Sequence, residues 1–191
     1  MKKSFFILAL CTLFIAPSTA KTIGTINLEE AKNAYEYLNQ IRQNPKNYSK
    51  EIGGFMRSVK PLPALIWNDT LARVAQEKAL DMANKNYFSH TNKSGQGINI
   101  LIHQAGYTLE KEFIKNKKNN FFESLAMGQS NGVEVINELI IDKGINPPSH
   151  RQHLLGLTDF WAGCFDIGIG FITTDNPQIP TYTCIIIARH R

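Results

Sequence analysis

The chain has 191 residues, 43% of them hydrophobic, with 21 Lys and Arg residues against 16 Asp and Glu residues. So mild an excess of positive charge excludes the strongly basic composition that is typical of nucleic-acid-binding proteins. The only long apolar run lies in the first twenty residues and is too short for a stable transmembrane helix. We therefore predict no nucleic-acid partner and no transmembrane segment in the mature chain.

The first twenty residues have the pattern of a secretory signal peptide. Lys2 and Lys3 give a basic start, an apolar run extends from Phe5 to Ala16, and Ser18-Thr19-Ala20 offers small residues for cleavage. We predict a signal peptide over residues 1–20 and a single mature domain over residues 21–191. Such a protein is secreted, to the periplasm or to the outside of the cell.

A long helix is predicted at the start of the mature domain. Asn27 can cap its first turn together with Glu30, and apolar residues recur at helical spacing as far as Ile41. The helix should end before Asn44-Pro45. A shorter helix is predicted from about Asn47 until the Gly53-Gly54 pair.

A second long helix is predicted to begin after Asn68-Asp69 and to end near residues 84–86. His90 follows this helix closely. Tyr87 and Phe88 are apolar enough to anchor the intervening segment in the core. His90 is therefore expected to lie at a fixed position at the edge of a cleft.

The second half of the chain changes from helices to strands. A short helix is predicted over residues 98–105, and a third long helix from about Gly132 to Lys143, ended by Gly144. Residues 167–172 and 181–187 have the apolar, β-branched composition of two strands. Helices followed by strands predict an α+β domain.

Cys164 and Cys184 are the two cysteines left once the signal peptide, with Cys11, is removed. In an oxidising compartment such a pair is expected to form a disulfide. The alternative is two buried free thiols, because the sequence does not show whether the two Cβ atoms face each other.

Three residues have side chains suited to a site: His90, Glu123 and His150. Two imidazoles and a carboxylate can hold a divalent cation or transfer a proton near neutral pH. Their long separations do not bring them together by local structure, and a hydrogen-bonded His90–Glu123 pair without a ligand is the alternative. His153 is interpreted as a packing or surface residue, and His103 and His190 receive no functional role.

Several motifs occur in an order that resembles the bacterial branch of the CAP superfamily, which contains cysteine-rich secretory proteins, antigen 5 and plant pathogenesis-related proteins. The resemblance covers roughly residues 33–172, within a domain core of roughly 33–189. It rests on the following motifs: Leu38-Asn39-Gln40-Ile41-Arg42, Trp67-Asn68, Asn86-Tyr87-Phe88-Ser89-His90, Gly106-Tyr107, Glu123-Ser124-Leu125-Ala126, Ser149-His150-Arg151 and Ile167-Gly168-Ile169-Gly170.

The resemblance implies a three-layer α-β-α sandwich whose central cleft collects two histidines and two acidic residues. By position, these four are His90, Glu123, Asp142 and His150. A zinc ion or another divalent cation would then be held by His90, His150 and Glu123. This chain departs from the family pattern in having Ser124 after the first acid, where an Asn is common, and in having Arg151 after the second histidine.

Two functions are consistent with this cleft. The first, which we favour, is a secreted binding or interaction module, not an enzyme, that takes a protein, peptide or lipid ligand. The second is a metal-dependent hydrolase or protease of peptide or envelope substrates, with Glu123 or a histidine as general base on a bound water. No local metal-ligand motif, which a dedicated metallohydrolase usually has, is present in the sequence.

Overall fold

The computed structural model describes residues 23–190, so the predicted signal peptide lies outside the described residues. The strands are β1 (Gly24–Ile26), β2 (Ile66–Trp67), β3 (Glu123–Met127), β4 (Asp166–Thr174) and β5 (Thr181–Ala188). The helices are α1 (Leu28–Gln43), α2 (Asp69–Asn84), α3 (Ile98–Gln104), α4 (Lys111–Ile114), α5 (Gly132–Ile141), α6 (Ser149–Leu155) and α7 (Asp159–Ala162). Among these helices, none combines the length and apolar character that crossing a bilayer demands.

The strands form one sheet with the order β1-β4-β5-β3. The neighbours along this order are antiparallel, and the short β2 pairs in parallel with the start of β4. The two predicted strands, β4 and β5, are the long central pair, and both are buried over most of their length. β3 forms one end of the sheet, and this position is central to the site described below.

Helices cover both faces of the sheet. α2 lies so close to β4 that a Cβ atom on Gly168 would approach the backbone nitrogen of Ala72 to 2.1 Å, and one on Gly170 would approach the backbone of Ala75 to 2.4 Å. Glycine is therefore required at both positions. On the opposite face, α1 packs on α5 and α5 on α6, and the Arg42 side chain of α1 donates to the Leu154 carbonyl of α6 at 2.7 Å. The result is the expected α-β-α sandwich.

The two long N-terminal helices are confirmed, with a difference in how the first is capped. The side chain of Asn27 accepts a hydrogen bond from the Glu30 N–H at 3.1 Å, as a capping residue should. The Glu30 carboxylate, however, accepts from the N–H of Gly132 at 2.7 Å. It therefore stabilises the first turn of α5, joining two helices that are distant in sequence.

Two local predictions are wrong. The segment predicted as a short helix from Asn47 contains two 3-10 turns, Pro45–Tyr48 and Gly54–Ser58, separated by Gly53 at a φ of +148°. Such a backbone conformation interrupts any helix. Phe88 is 43% exposed and does not anchor its segment in the core; Tyr87 does so alone, through a hydrogen bond from its hydroxyl to Asp81.

The predicted disulfide is absent. Cys164 and Cys184 are both buried free thiols. Cys184 pairs with Gly170 across β4 and β5, whereas Cys164 lies two residues before the start of β4 at Asp166. Six residues of extended chain between Cys164 and Gly170 span roughly 20 Å. A disulfide requires Cα atoms about 4.4–6.8 Å apart, so this register excludes the bridge.

Candidate functional site

His90 and Glu123 form the first half of the site. The Nδ1 atom of His90 lies 2.8 Å from Oε2 of Glu123. Glu123 is the first residue of β3, and its side chain is fully buried, whereas that of His90 is 46% exposed. A buried carboxylate facing an imidazole nitrogen orients the ring with Nδ1 as the donor, and in the neutral form of that tautomer Nε2 has a free lone pair.

Glu123 has a second partner that the sequence did not suggest. The thiol of Cys184, on the adjacent strand β5, donates to Oε1 of Glu123 at 3.4 Å. Burial, together with the nearby Glu123 carboxylate, raises the pKa of Cys184, so that the sulfur stays protonated and remains a donor. Both oxygens of this buried carboxylate are thus hydrogen-bonded, as buried acids require.

The segment that carries His90 is held from below by a buried lysine. The ammonium group of Lys78, on α2, donates to the carbonyl of Ser89 at 2.6 Å, and Lys78 is only 2% exposed. Asn86, just after α2, has a φ of +48°, a left-handed conformation that does not continue the helix. These contacts give His90 a defined position although its ring is half exposed.

His150 and Asp142 form the second half of the site. Oδ1 of Asp142 lies 2.8 Å from Nδ1 of His150, while Oδ2 accepts the backbone N–H groups of His150 at 3.0 Å and Arg151 at 3.2 Å. Asp142 thus satisfies the first turn of α6 and orients the imidazole at its start. Arg151 ties the same turn back to α5 by donating to the carbonyl of Ile140 at 2.6 Å.

Asp142 reaches this position because α5 ends slightly earlier than predicted. The helix stops at Ile141 instead of Lys143, and Asp142 itself is the left-handed terminating residue, with a φ of +52°. A left-handed non-glycine residue is uncommon, although aspartate is among the residues that tolerate it. Gly144, the residue predicted for this role, is also left-handed but lies further along the chain.

The four predicted residues meet at one place. His90, Glu123 and His150 line a common cleft of about 270 Å³, and Asp142 supports His150 from behind. We call this space the histidine cleft. Its remaining wall is formed by Ser124, Ser149, His153, Trp161, Phe121 and Asn120. The cleft wraps around the end of β3, since Glu123 and Ser124 point to opposite faces of the sheet.

His153 and Ser124 form a buried pair behind the cleft. Nδ1 of His153 lies 2.7 Å from the hydroxyl oxygen of Ser124, and both residues are almost fully buried. Burial lowers the pKa of His153 to about 3, so its imidazole is neutral at physiological pH. The serine that replaces the amide common in the family therefore connects β3 to α6 by its own hydrogen bond.

The donor set suits a cation with two protein ligands. Each cleft histidine presents Nδ1 to a carboxylate, an arrangement that in metal sites orients the ligand and leaves Nε2 to bind. Over residues 23–190, no group of three or more His, Cys, Asp or Glu side chains is placed to hold a metal ion. In this geometry Glu123 is a hydrogen-bond partner of His90, and its role as a third ligand stays a prediction.

The supporting residues Cys184, Lys78, Ser124 and His153 were not predicted. Cys184 and Lys78 lie within regular strand and helix patterns. The sequence gives no sign that their partners are Glu123 and the Ser89 carbonyl. For Ser124 and His153 a signal existed, because Ser124 follows Glu123 directly and His153 is three residues after His150. His190, which received no functional role from the sequence, contacts a buried acid: its Nδ1 lies 2.8 Å from Oδ2 of Asp166.

Comparisons with known proteins agree with this fold. The model of the CAP family, described as the cysteine-rich secretory protein family, matches residues 34–186. Among solved structures, an outer surface protein from Borrelia burgdorferi is 22% identical with a TM-score of 0.56, over 87% of this chain and 99% of that one.

A second solved structure is an extracellular protein containing an SCP domain from Bacillus anthracis, which is 20% identical with a TM-score of 0.53 over 85% of this chain. The match spans only 41% of that longer protein. Among curated proteins, none matches this chain. At these identities the structures establish the fold alone, whereas the family model covers most of the chain. This protein therefore belongs to the cysteine-rich secretory protein, or CAP, family.

Proposed function

We propose that this protein is a secreted CAP-domain binding module whose histidine cleft holds a divalent cation through Nε2 of His90 and Nε2 of His150. The observation that carries the proposal is the matched pair of 2.8 Å contacts that fix both Nδ1 atoms on buried carboxylates. Export is supported by the signal-like first twenty residues and by the similarity to an outer surface protein and to an extracellular protein.

Zinc is the cation best suited to this donor set, because imidazole nitrogens are among its preferred ligands. When bound, the cation would supply a positive charge with coordination positions open to water or to an oxygen atom of a ligand. The chain itself orients the two rings, keeps Nε2 free, and shields the Glu123 and Asp142 carboxylates from solvent.

Glu123 is poorly placed to act as the general base of the hydrolase alternative. A general base must present a lone pair to the attacking water. The Glu123 side chain is fully buried and is hydrogen-bonded to His90 and Cys184. His153, a buried imidazole, has too low a pKa, about 3, to accept a proton near neutral pH. Of the residues in the cleft, His90 and His150 remain as candidates for a general base.

Zinc calorimetry on the purified protein tests the metal assignment. The double variant His90→Ala/His150→Ala should lose at least about 100-fold in zinc affinity, because both ligands are removed. The matched control is His190→Ala, which removes a similarly exposed histidine with a similar carboxylate contact outside the cleft. Wild-type affinity in the double variant would refute the cation site.

The choice between binding and hydrolysis is tested with Glu123→Gln. This change keeps the shape of the side chain but removes the charge that a general base needs. Hydrolysis of peptide or envelope substrates by the wild type, lost in the variant while circular dichroism shows an intact fold, would favour the enzyme. We expect the wild-type protein to hydrolyse none of these peptide or envelope substrates.

A further inference from the structure

The outer edge of β3 has no strand partner in the described part of the chain. β3 ends the sheet and pairs only with β5 among the strands of residues 23–190. It is short, with five residues, and Glu123 at its start belongs to the histidine cleft. An open strand edge presents backbone donors and acceptors that can pair with another chain.

The register identifies which backbone groups are unpaired. Ile187 donates its N–H to the Phe122 carbonyl at 3.0 Å, and Gly128 donates to the Thr181 carbonyl at 3.0 Å. Because hydrogen-bonded positions alternate in an antiparallel ladder, the even-numbered residues from 122 to 128 direct their backbone groups toward β5. Three odd-numbered residues therefore direct theirs outward: Glu123, Leu125 and Met127.

A groove of about 550 Å³ runs along this open edge. Phe88 contributes one wall and Ile141, at the end of α5, contributes the other, with Leu125 and Met127 between them. Phe88 and Met127 are 43% and 41% exposed, so two large apolar side chains meet solvent in the same groove. We call this space the edge groove. The exposure of Phe88 is the structural consequence of its position here.

The edge groove and the histidine cleft are neighbours along the same strand. His150 lines both, Glu123 lies at the cleft end of β3, and Met127 lies at the groove end. Both spaces include residues from the two opposite faces of the sheet, so both lie across the strand edge. A ligand lying along β3 would therefore pass from the apolar groove to the two imidazoles.

We propose that the edge groove binds an extended peptide that adds to β3 as a further strand, with its end at the histidine cleft. This inference rests on the proposed function as a binding module and names its class of partner. An extended backbone matches the alternating N–H and C=O groups of Glu123, Leu125 and Met127. The apolar walls then take alternate side chains of the peptide, since these point to opposite sides of the added strand.

Charge gives the groove no single-sign preference. Its lining contains two acids, Glu138, which accepts from the Gln129 amide at 2.6 Å, and Asp142, which is paired with His150. Lys143 lines the same groove and forms no ion pair within residues 23–190. Because acids and a base share this lining, the peptide should be selected by apolar residues at alternating positions.

The test begins with a display library of random eight-residue linear peptides selected on the purified full-length protein. Recovered peptides are resynthesised with a fluorophore and measured by fluorescence anisotropy. Methylation of the amide nitrogens in one alternating set should weaken binding at least tenfold, and methylation of the other set should change it less than threefold. Equal effects of the two sets, or no enriched sequence, would overturn the proposal.

The protein side is tested at Met127. Met127→Pro removes one outward N–H without touching the ladder to β5, a substitution that edge strands tolerate, and should weaken the peptide at least tenfold. Met127→Val keeps the N–H and should stay within threefold. Self-association of the wild type that Met127→Pro abolishes, seen by sedimentation, would assign the edge to a second copy and refute the proposal. Zinc calorimetry on Met127→Pro tests the cation site separately from the peptide site. Zinc binding should be unchanged even if the peptide proposal fails.

Discussion

The histidine cleft and the Asp166–His190 pair use the same contact in different surroundings. In each, an imidazole Nδ1 lies 2.8 Å from a buried carboxylate. Asp166 also accepts from the Tyr107 hydroxyl at 2.7 Å, and His190 packs edge-on against Tyr107 and Phe165. Within the described chain, this pair has no second histidine facing it. A histidine–carboxylate contact is thus a way to hold a ring, and the cleft differs because two such rings, those of His90 and His150, line one space.

The two regions are expected to differ most in how they contribute to the loss of stability at low pH. His153 binds no proton in the folded state until its pKa of about 3, whereas unfolded chains take up that proton near pH 6.5. The stability it contributes is present above about pH 6.5 and is lost as the pH falls toward 3, by up to about 1.4 kcal/mol per unit and roughly 5 kcal/mol in all. Urea unfolding at a series of pH values measures this slope.

The matching variants for that measurement are His153→Gln and His190→Gln. The first should flatten the slope between pH 6.5 and pH 3 even if it lowers stability at neutral pH, because glutamine does not titrate there. The second is the matched control, because it removes a histidine outside the cleft whose side chain is more than half exposed. A wild-type slope in His153→Gln would show that other groups cause the acid sensitivity.

The next largest effect is expected at Asp142. Asp142→Ala removes an acceptor of three hydrogen bonds and leaves the start of α6 without a partner. We expect a loss of about 2–4 kcal/mol in the free energy of unfolding, the range for buried charged acceptors. Asp142→Asn, which can keep one acceptor oxygen, should lose less. Equal losses in the two variants would indicate that the charge matters more than the left-handed backbone, which asparagine tolerates better than alanine.

A smaller effect on stability is expected at Tyr107, which contacts the Asp166–His190 pair. Burial and the neighbouring Asp166 raise the pKa of Tyr107, so its hydroxyl stays a donor. Tyr107→Phe removes that donor and should cost about 1–2 kcal/mol in the free energy of unfolding. Zinc affinity should not change. A loss of zinc binding in this variant would contradict the separation of the two regions.

The smallest effect is expected for His190→Ala. The side chain of His190 is 57% exposed, and exposed ion pairs contribute less than about 1 kcal/mol. Thermal unfolding should shift by no more than a few degrees. A shift as large as that of Asp142→Ala would mean that this C-terminal contact is as important structurally as the one in the cleft.

Much of the fold could be predicted from local pattern. The apolar spacing and caps of α1 and α2 and the β-branched runs of β4 and β5 encode their own structure, and all four are observed. The segment near Asn47 failed because a short helix has too few local interactions to resist Gly53. The prediction that Phe88 anchors its segment in the core was wrong, because hydrophobicity does not tell whether a side chain faces the core or lines a groove.

The family, the α+β class and the four residues of the site were all accessible before any coordinates, because ordered motifs and helical periodicity are properties of the chain. What those residues contact depends on the folded molecule. The β4–β5 register separates Cys164 from Cys184, and the β3–β5 register places Cys184 near Glu123. The end of α5 at Ile141 places Asp142 under α6. Register and helix ends are set by packing between distant segments, which local pattern does not encode.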